Sequence, residues 1–95
     1  MIVQGYRYKF SSEAAFDEAK KTLILALVAA EGLFGRSRVR MDADWASDAG
    51  INVIVIDAGT AVGTAVCLIF TALVTVEFGA GQFDVRRVGF FGTPT

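Results

Sequence analysis

Nineteen consecutive residues, Ala58–Val76, carry no charge, and acids bracket them at Asp57 and Glu77. So long an apolar run needs a cover: the rest of the chain, a partner or a bilayer. Gly59, Gly63, Cys67, Thr71 and Thr75 recur within it at i, i+4 spacing. On a helix such residues stack on one face and form a narrow ridge that another backbone can approach closely. The run is too long for one strand, Thr60 is a suitable cap, and Gly79 and Gly81 offer a stop. These features predict a helix from about Thr60 to Phe78. A Gly59-xxx-Gly63 pair in an apolar segment also matches a membrane-spanning helix that dimerises through small residues, and a bilayer core needs ~20 residues. Against spanning, six of the nineteen are Gly or Thr and no basic cluster lies just outside either end. The favoured expectation is a buried helix with its small face flat on a sheet. A spanning helix over about 58–76 is the alternative.

Composition narrows the chemistry. With 95 residues the chain is expected to be one domain, with an ordered core over about 2–88 and a tail over 89–95. Its apolar fraction of 54% exceeds the usual ~45–50%, and its charged fraction of 20% falls below ~25%. The net charge of −1 supplies no global field for DNA or acidic lipid. Histidine is absent, which removes the commonest general acid/base and the commonest metal ligand. Cys67 is the single cysteine, and its apolar setting suits a small buried hydrophobe. The N-terminus lacks a basic stretch followed by a long apolar one, so no signal peptide is expected and a reducing cytoplasmic setting fits best.

Period changes along the chain place the remaining elements. Residues 2–10, IVQGYRYKF, alternate, with Ile2, Tyr6, Tyr8 and Phe10 on one face and Arg7 and Lys9 on the other. Ser12 and Glu13 then signal a helix start, and Phe16, Leu23, Leu27 and Ala30 form a helical stripe. That helix is predicted over 12–32, with Gly32 and Gly35 as stops. Residues 36–45, RSRVRMDADW, alternate again and predict a half-buried strand. Turn chemistry at 46–50 leads to INVIVID, 51–57, which reads as a central strand in a hairpin with it. A last strand is predicted over 82–88.

The order β-α-β-β-α-β resembles the ferredoxin-like superfold. The resemblance implies an α+β sandwich: a four-stranded antiparallel sheet with two helices on one face. The sheet's other face is then open, and Arg7, Lys9, Arg36, Arg38 and Arg40 are expected to share it as a candidate ligand face. RNA-recognition modules use such a face with basic residues and stacking aromatics. Here the third strand offers no stacking ring, and Asp42 and Asp44 would oppose phosphate. A solvated, self-paired charge face is the better reading. Asp42-x-Asp44 has the spacing of a metal pair on a strand, yet Arg40 two residues away explains it by ion pairing. Gly59–Thr64 lacks the lysine and spacing of a phosphate-binding loop.

No catalytic constellation, metal site or cofactor is expected. Trp45, Ile54, Ile56, Phe83, Phe90 and Phe91 are candidate interface anchors, because apolar strips and aromatics mark partner surfaces. The functional expectation is a non-catalytic, oligomerising protein-interaction domain that binds itself, as a dimer or larger, or another protein. A membrane protein with one spanning helix is the first alternative, and a ligand- or RNA-binding sheet face the second. Fold alone licenses none of these.

Overall fold

The structure is a computed structural model and describes residues 4–89. Its elements run β1 (Gln4–Phe10), α1 (Glu13–Phe34), α2 (Arg36–Asp42), β2 (Trp45–Asp48), β3 (Val53–Asp57), α3 (Ala61–Phe78), a 3₁₀ turn (Ala80–Gln82) and β4 (Phe83–Gly89). The four strands form one antiparallel sheet in the order β2-β3-β1-β4. The chain is thus α+β with an open sheet and three helices.

Both long helices begin where the side chains ask them to. Ser12 caps α1 by accepting from the Ala15 amide at 3.1 Å, and Thr60 caps α3 by accepting from the Gly63 amide at 2.9 Å. Such caps satisfy amides that the first turn leaves without partners. Helix α1 runs through Gly32 and ends at Gly35, whose φ of +87° is open to glycine and strained for most other residues. Helix α3 ends at Gly79, whose amide bonds to the Thr75 carbonyl at 2.9 Å.

The pleat decides which side of each strand meets the helices. Tyr8 lies opposite Ile54, and Tyr6 opposite Ile56. Tyr8, Ile54 and Ile56 are buried with Phe16, Leu23, Val66, Phe70 and Val74 in one core. Helix α2 adds Val39 to the same core, packed against α1 and α3. Ile54 and Ile56 are therefore core residues and not the exposed interface anchors expected of them. The strip facing away from the helices on β3 belongs instead to Val53 and Val55.

The expected strand over residues 36–45 is corrected. Its first seven residues are helix α2, and only Trp45 enters β2. Arginine and methionine are good helix formers. Arg38 bridges Asp42 at 3.7 Å across one turn, and its guanidinium lies 5.0 Å from the centre of the Phe34 ring. A single inward residue, Val39, satisfies so short a helix. The expected pair of helices accordingly becomes three. The hairpin with β3 forms in shortened form, Trp45–Asp48 against Val53–Ile56.

Candidate interaction surfaces

The charge-free ridge was expected to lie flat on the sheet, and its middle does. A Cβ on Gly63 would sit inside the contact distance of the Asp57 carbonyl oxygen, and 3.1 Å from both the carbonyl carbon and Thr60 Oγ1. One turn on, the Cys67 thiol points at the Ile56 carbonyl at 3.8 Å. Another turn on, Thr71 Oγ1 lies 2.8 Å from the Tyr8 hydroxyl, which also reaches the Cys67 carbonyl at 3.4 Å. Gly59 precedes the helix, in a loop where Asp57 Oδ1 accepts from its amide at 3.0 Å. Thr75 is exposed and bonds back to the Thr71 carbonyl.

Burial pushes the Cys67 thiol up to about 11, against the opposing pull of its bond with Tyr8. Burial raises the Tyr8 hydroxyl as well. Both groups are neutral acids in the fold, so ionisation in the unfolded chain favours unfolding. Their contribution is intact below about pH 9, the thiol's ordinary value, and drains as pH rises through 11. We expect the urea midpoint to fall between pH 8.5 and 10.5, and Cys67 to resist alkylation at pH 8 until the chain is unfolded. An unchanged midpoint together with fast native alkylation would place Cys67 outside the core.

The open sheet face does not assemble the five basic residues expected on it. Arg7 and Lys9 are there, with Arg86 opposite Arg7 and Asp84 opposite Lys9. Arg36, Arg38 and Arg40 leave with helix α2, because a helix turns side chains through 100° per residue instead of holding them on one face. Cross-strand neighbours complete two rows: Ala46–Val55–Arg7–Arg86 and Asp48–Val53–Lys9–Asp84. The first row sets Arg7 beside Arg86 and the second sets Lys9 beside Asp84, so the face carries charges of both signs. Asp42 pairs with Arg38, and Asp44 Oδ1 accepts from the Trp45 amide at 2.9 Å. Among the described residues no group of three or more Cys, Asp or Glu is placed to hold a metal ion.

The helix layer presents a different surface. Helices α1 and α3 run antiparallel, pinned where the Thr22 hydroxyl donates to Glu77 Oε1 at 2.6 Å. On their outer side Ile24, Leu25, Val28 and Leu33 of α1 and Leu68, Leu73 and Val76 of α3 are uncovered, Val76 to 88% and Leu33 to 70%. Exposed aliphatic side chains in such number mark a candidate interaction surface. The predicted stripe of α1 contains none of that helix's four. The signal was present in Thr22–Ala30, nine residues without a charge, too wide for a one-sided helix.

Between α3 and β4 the helices leave a groove of about 440 Å³, floored by Tyr6 and Tyr8 and walled by Leu68, Thr71 and Val85. Of the remaining expected anchors, Phe83 is half-buried and stacks on Phe10 at 5.9 Å. Trp45 is 40% exposed on edge strand β2. Phe90 and Phe91 lie outside the described residues. No protein-family model, curated protein or solved structure matches the chain.

Proposed function

We propose that this chain is a non-catalytic interaction domain that works by associating with protein, its own copies first. One observation carries the reading: the aliphatic side chains left in water on the helix layer, among them Leu25 and Leu33 on α1 and Leu68 and Val76 on α3. Soluble chains seldom leave so much aliphatic surface in water, and the cost of doing so is relieved by association. The strand order supports reading the fold as the ferredoxin-like sandwich with α2 added ahead of β2: β1 lies between β3 and β4, and both crossover helices lie on one face.

A membrane reading rests on α3, whose 18 residues have a mean hydropathy of 2.0 and are only one-third buried. It requires α3 to withdraw its own Phe70 and Val74 from the core. Size-exclusion chromatography with light scattering on detergent-free protein separates the two. A discrete soluble oligomer is the expected result, and Leu33→Lys/Val76→Lys is expected to reduce its mass. A monomer across the micromolar range sinks the interaction reading, and aggregation relieved only by detergent transfers the case to the membrane.

A further inference from the structure

Strand β4 is an edge strand seven residues long, and among the described residues no strand neighbours its outer side. Long open edges template pairing with another chain unless something blunts them. The other edge, β2, is only four residues. What blunts or uses β4 is written in its side chains: Phe83, Asp84, Val85, Arg86, Arg87.

We propose that β4 pairs antiparallel with β4 of a second copy of this chain about a two-fold axis at Val85, joining two four-stranded sheets into one of eight strands. This rests on the reading of the chain as self-associating, and says where the first contact forms. A two-fold between neighbouring antiparallel strands stands perpendicular to the sheet, so some residue must lie on the axis opposite its own copy. Centring on Asp84 opposes two acids. Centring on Arg86 or Arg87 opposes two arginines. Centring on Val85 places Asp84 against the second copy's Arg86, and Arg86 against its Asp84. The same register sets Phe83 across from the second copy's Arg87, a cation–aromatic pair. Opposite charges directly across a strand pair stabilise it and like charges oppose it, so among centres from Asp84 to Arg87 the charges favour Val85, and a centre on Phe83 or Val88 would forgo both Asp–Arg pairs.

Geometry supplies a second reason. Asp84 and Arg86 already bridge at 3.2 Å on the open face of one strand. In the pair they become a four-charge array, with each acid flanked by an arginine of its own chain and one opposite. On the other face Val85 meets its copy beside the groove that α3 leaves over β4, where Leu68 is 69% exposed. The second copy closes that groove from its open side. A perpendicular axis also keeps both helix layers on the same side of the joined sheet. Their apolar outer faces then lie side by side as one platform, which suits the larger assembly of the proposed function.

Charge exchange tests this with light scattering on the full chain, with circular dichroism to check that each variant is folded. Asp84→Arg gives a strand with two cations facing two, and Arg86→Asp one with two acids facing two. Each alone is expected to weaken self-association by about tenfold or more, because both symmetric pairs become repulsive. Mixing the two variants is expected to restore a heterodimer, since every cross-strand pair is again of opposite charge. The double variant Asp84→Arg/Arg86→Asp is expected to associate as the parent does. A merely intrachain role for Asp84 and Arg86 would move thermal stability and leave mixing without effect. If the parent chain is oligomeric and neither single variant changes that, the β4 edge is overturned while the interaction domain stands. If the parent chain is a monomer throughout, both fall.

Discussion

Gly63→Ala is expected to destabilise this protein by about 2 kcal/mol, although alanine is the better helix former by nearly 1 kcal/mol. The added methyl has nowhere to go. It would meet the Asp57 carbonyl oxygen inside contact distance, and the other close atoms are the Asp57 carbonyl carbon and the Thr60 hydroxyl that caps the helix. None of these is the free end of a flexible side chain. Relief requires α3 to lift from the end of β3, which loosens Cys67 and Thr71 along the same ridge. Overpacking of this kind costs ~1–3 kcal/mol, which outweighs the propensity gain. For a domain of this size each kilocalorie moves the melting temperature by ~4–8 °C, so thermal denaturation followed by circular dichroism reads the effect easily. The sign is informative. A helix free of the sheet would be stabilised by alanine, and a rise in melting temperature would mean that α3 does not pack as described.

The largest loss is expected from Phe70→Ala. Phe70 has no exposed surface and meets Tyr8 edge-on, with ring centres 4.8 Å apart. It sits where α3, α1 and β1 converge. Truncating a buried phenylalanine costs ~3–5 kcal/mol, from lost transfer energy and from the cavity left behind. Domains this size hold only ~5–15 kcal/mol in total, so the variant is expected to be partly unfolded near body temperature. Urea denaturation at 25 °C checks it, with the midpoint falling by a third or more. Phe70→Leu fills part of the space and is expected to recover about half the loss. A midpoint within error of the parent for Phe70→Ala would show that the core is not centred on this ring.

Gly63 belongs to the part of the molecule that is legible in the sequence. The helix over Ala61–Phe78 was marked by its i, i+4 ridge, its threonine cap and its glycine stop, and all three depend on local chemistry. Helix α1 was marked by Ser12 and Gly35 in the same way. The alternation in β1 correctly put Tyr8 and Phe10 inward and Lys9 outward. Residues 36–42 were misread because their pattern is ambiguous. Seven residues with arginines at every second position look half-buried as a strand. They also make two turns of helix with Val39 as the only inward residue. Nothing local separates those readings. What separates them is Gly35, which ends α1 in a left-handed turn and sends the chain back along Phe34 before it can reach the sheet.

The same limit governed the surfaces. INVIVID is apolar on both sides, so its sequence predicts a covered strand without saying which side the helices cover. Packing put Ile54 and Ile56 against the helices and turned Val53 and Val55 to the other face, where Val53 is nevertheless buried. The open face lost three of its five expected cations to a helix, and with them the motive for a phosphate ligand. The apolar face of the helix layer was latent in two uncharged runs, Thr22–Ala30 and Ala58–Val76. Only their antiparallel contact made one surface of them.

By itself, then, the sequence determined that there is no histidine and only one cysteine, and it marked the caps of the long helices and the small face by which α3 meets the sheet. These follow from side-chain types and from spacings of four residues or fewer. The tertiary structure alone decided the strand order, and with it that β4 lies at an edge of the sheet. It also decided which aliphatic residues were spent on the core and which were left in water. Those outcomes depend on residues far apart in sequence sharing one layer, and no local period encodes them.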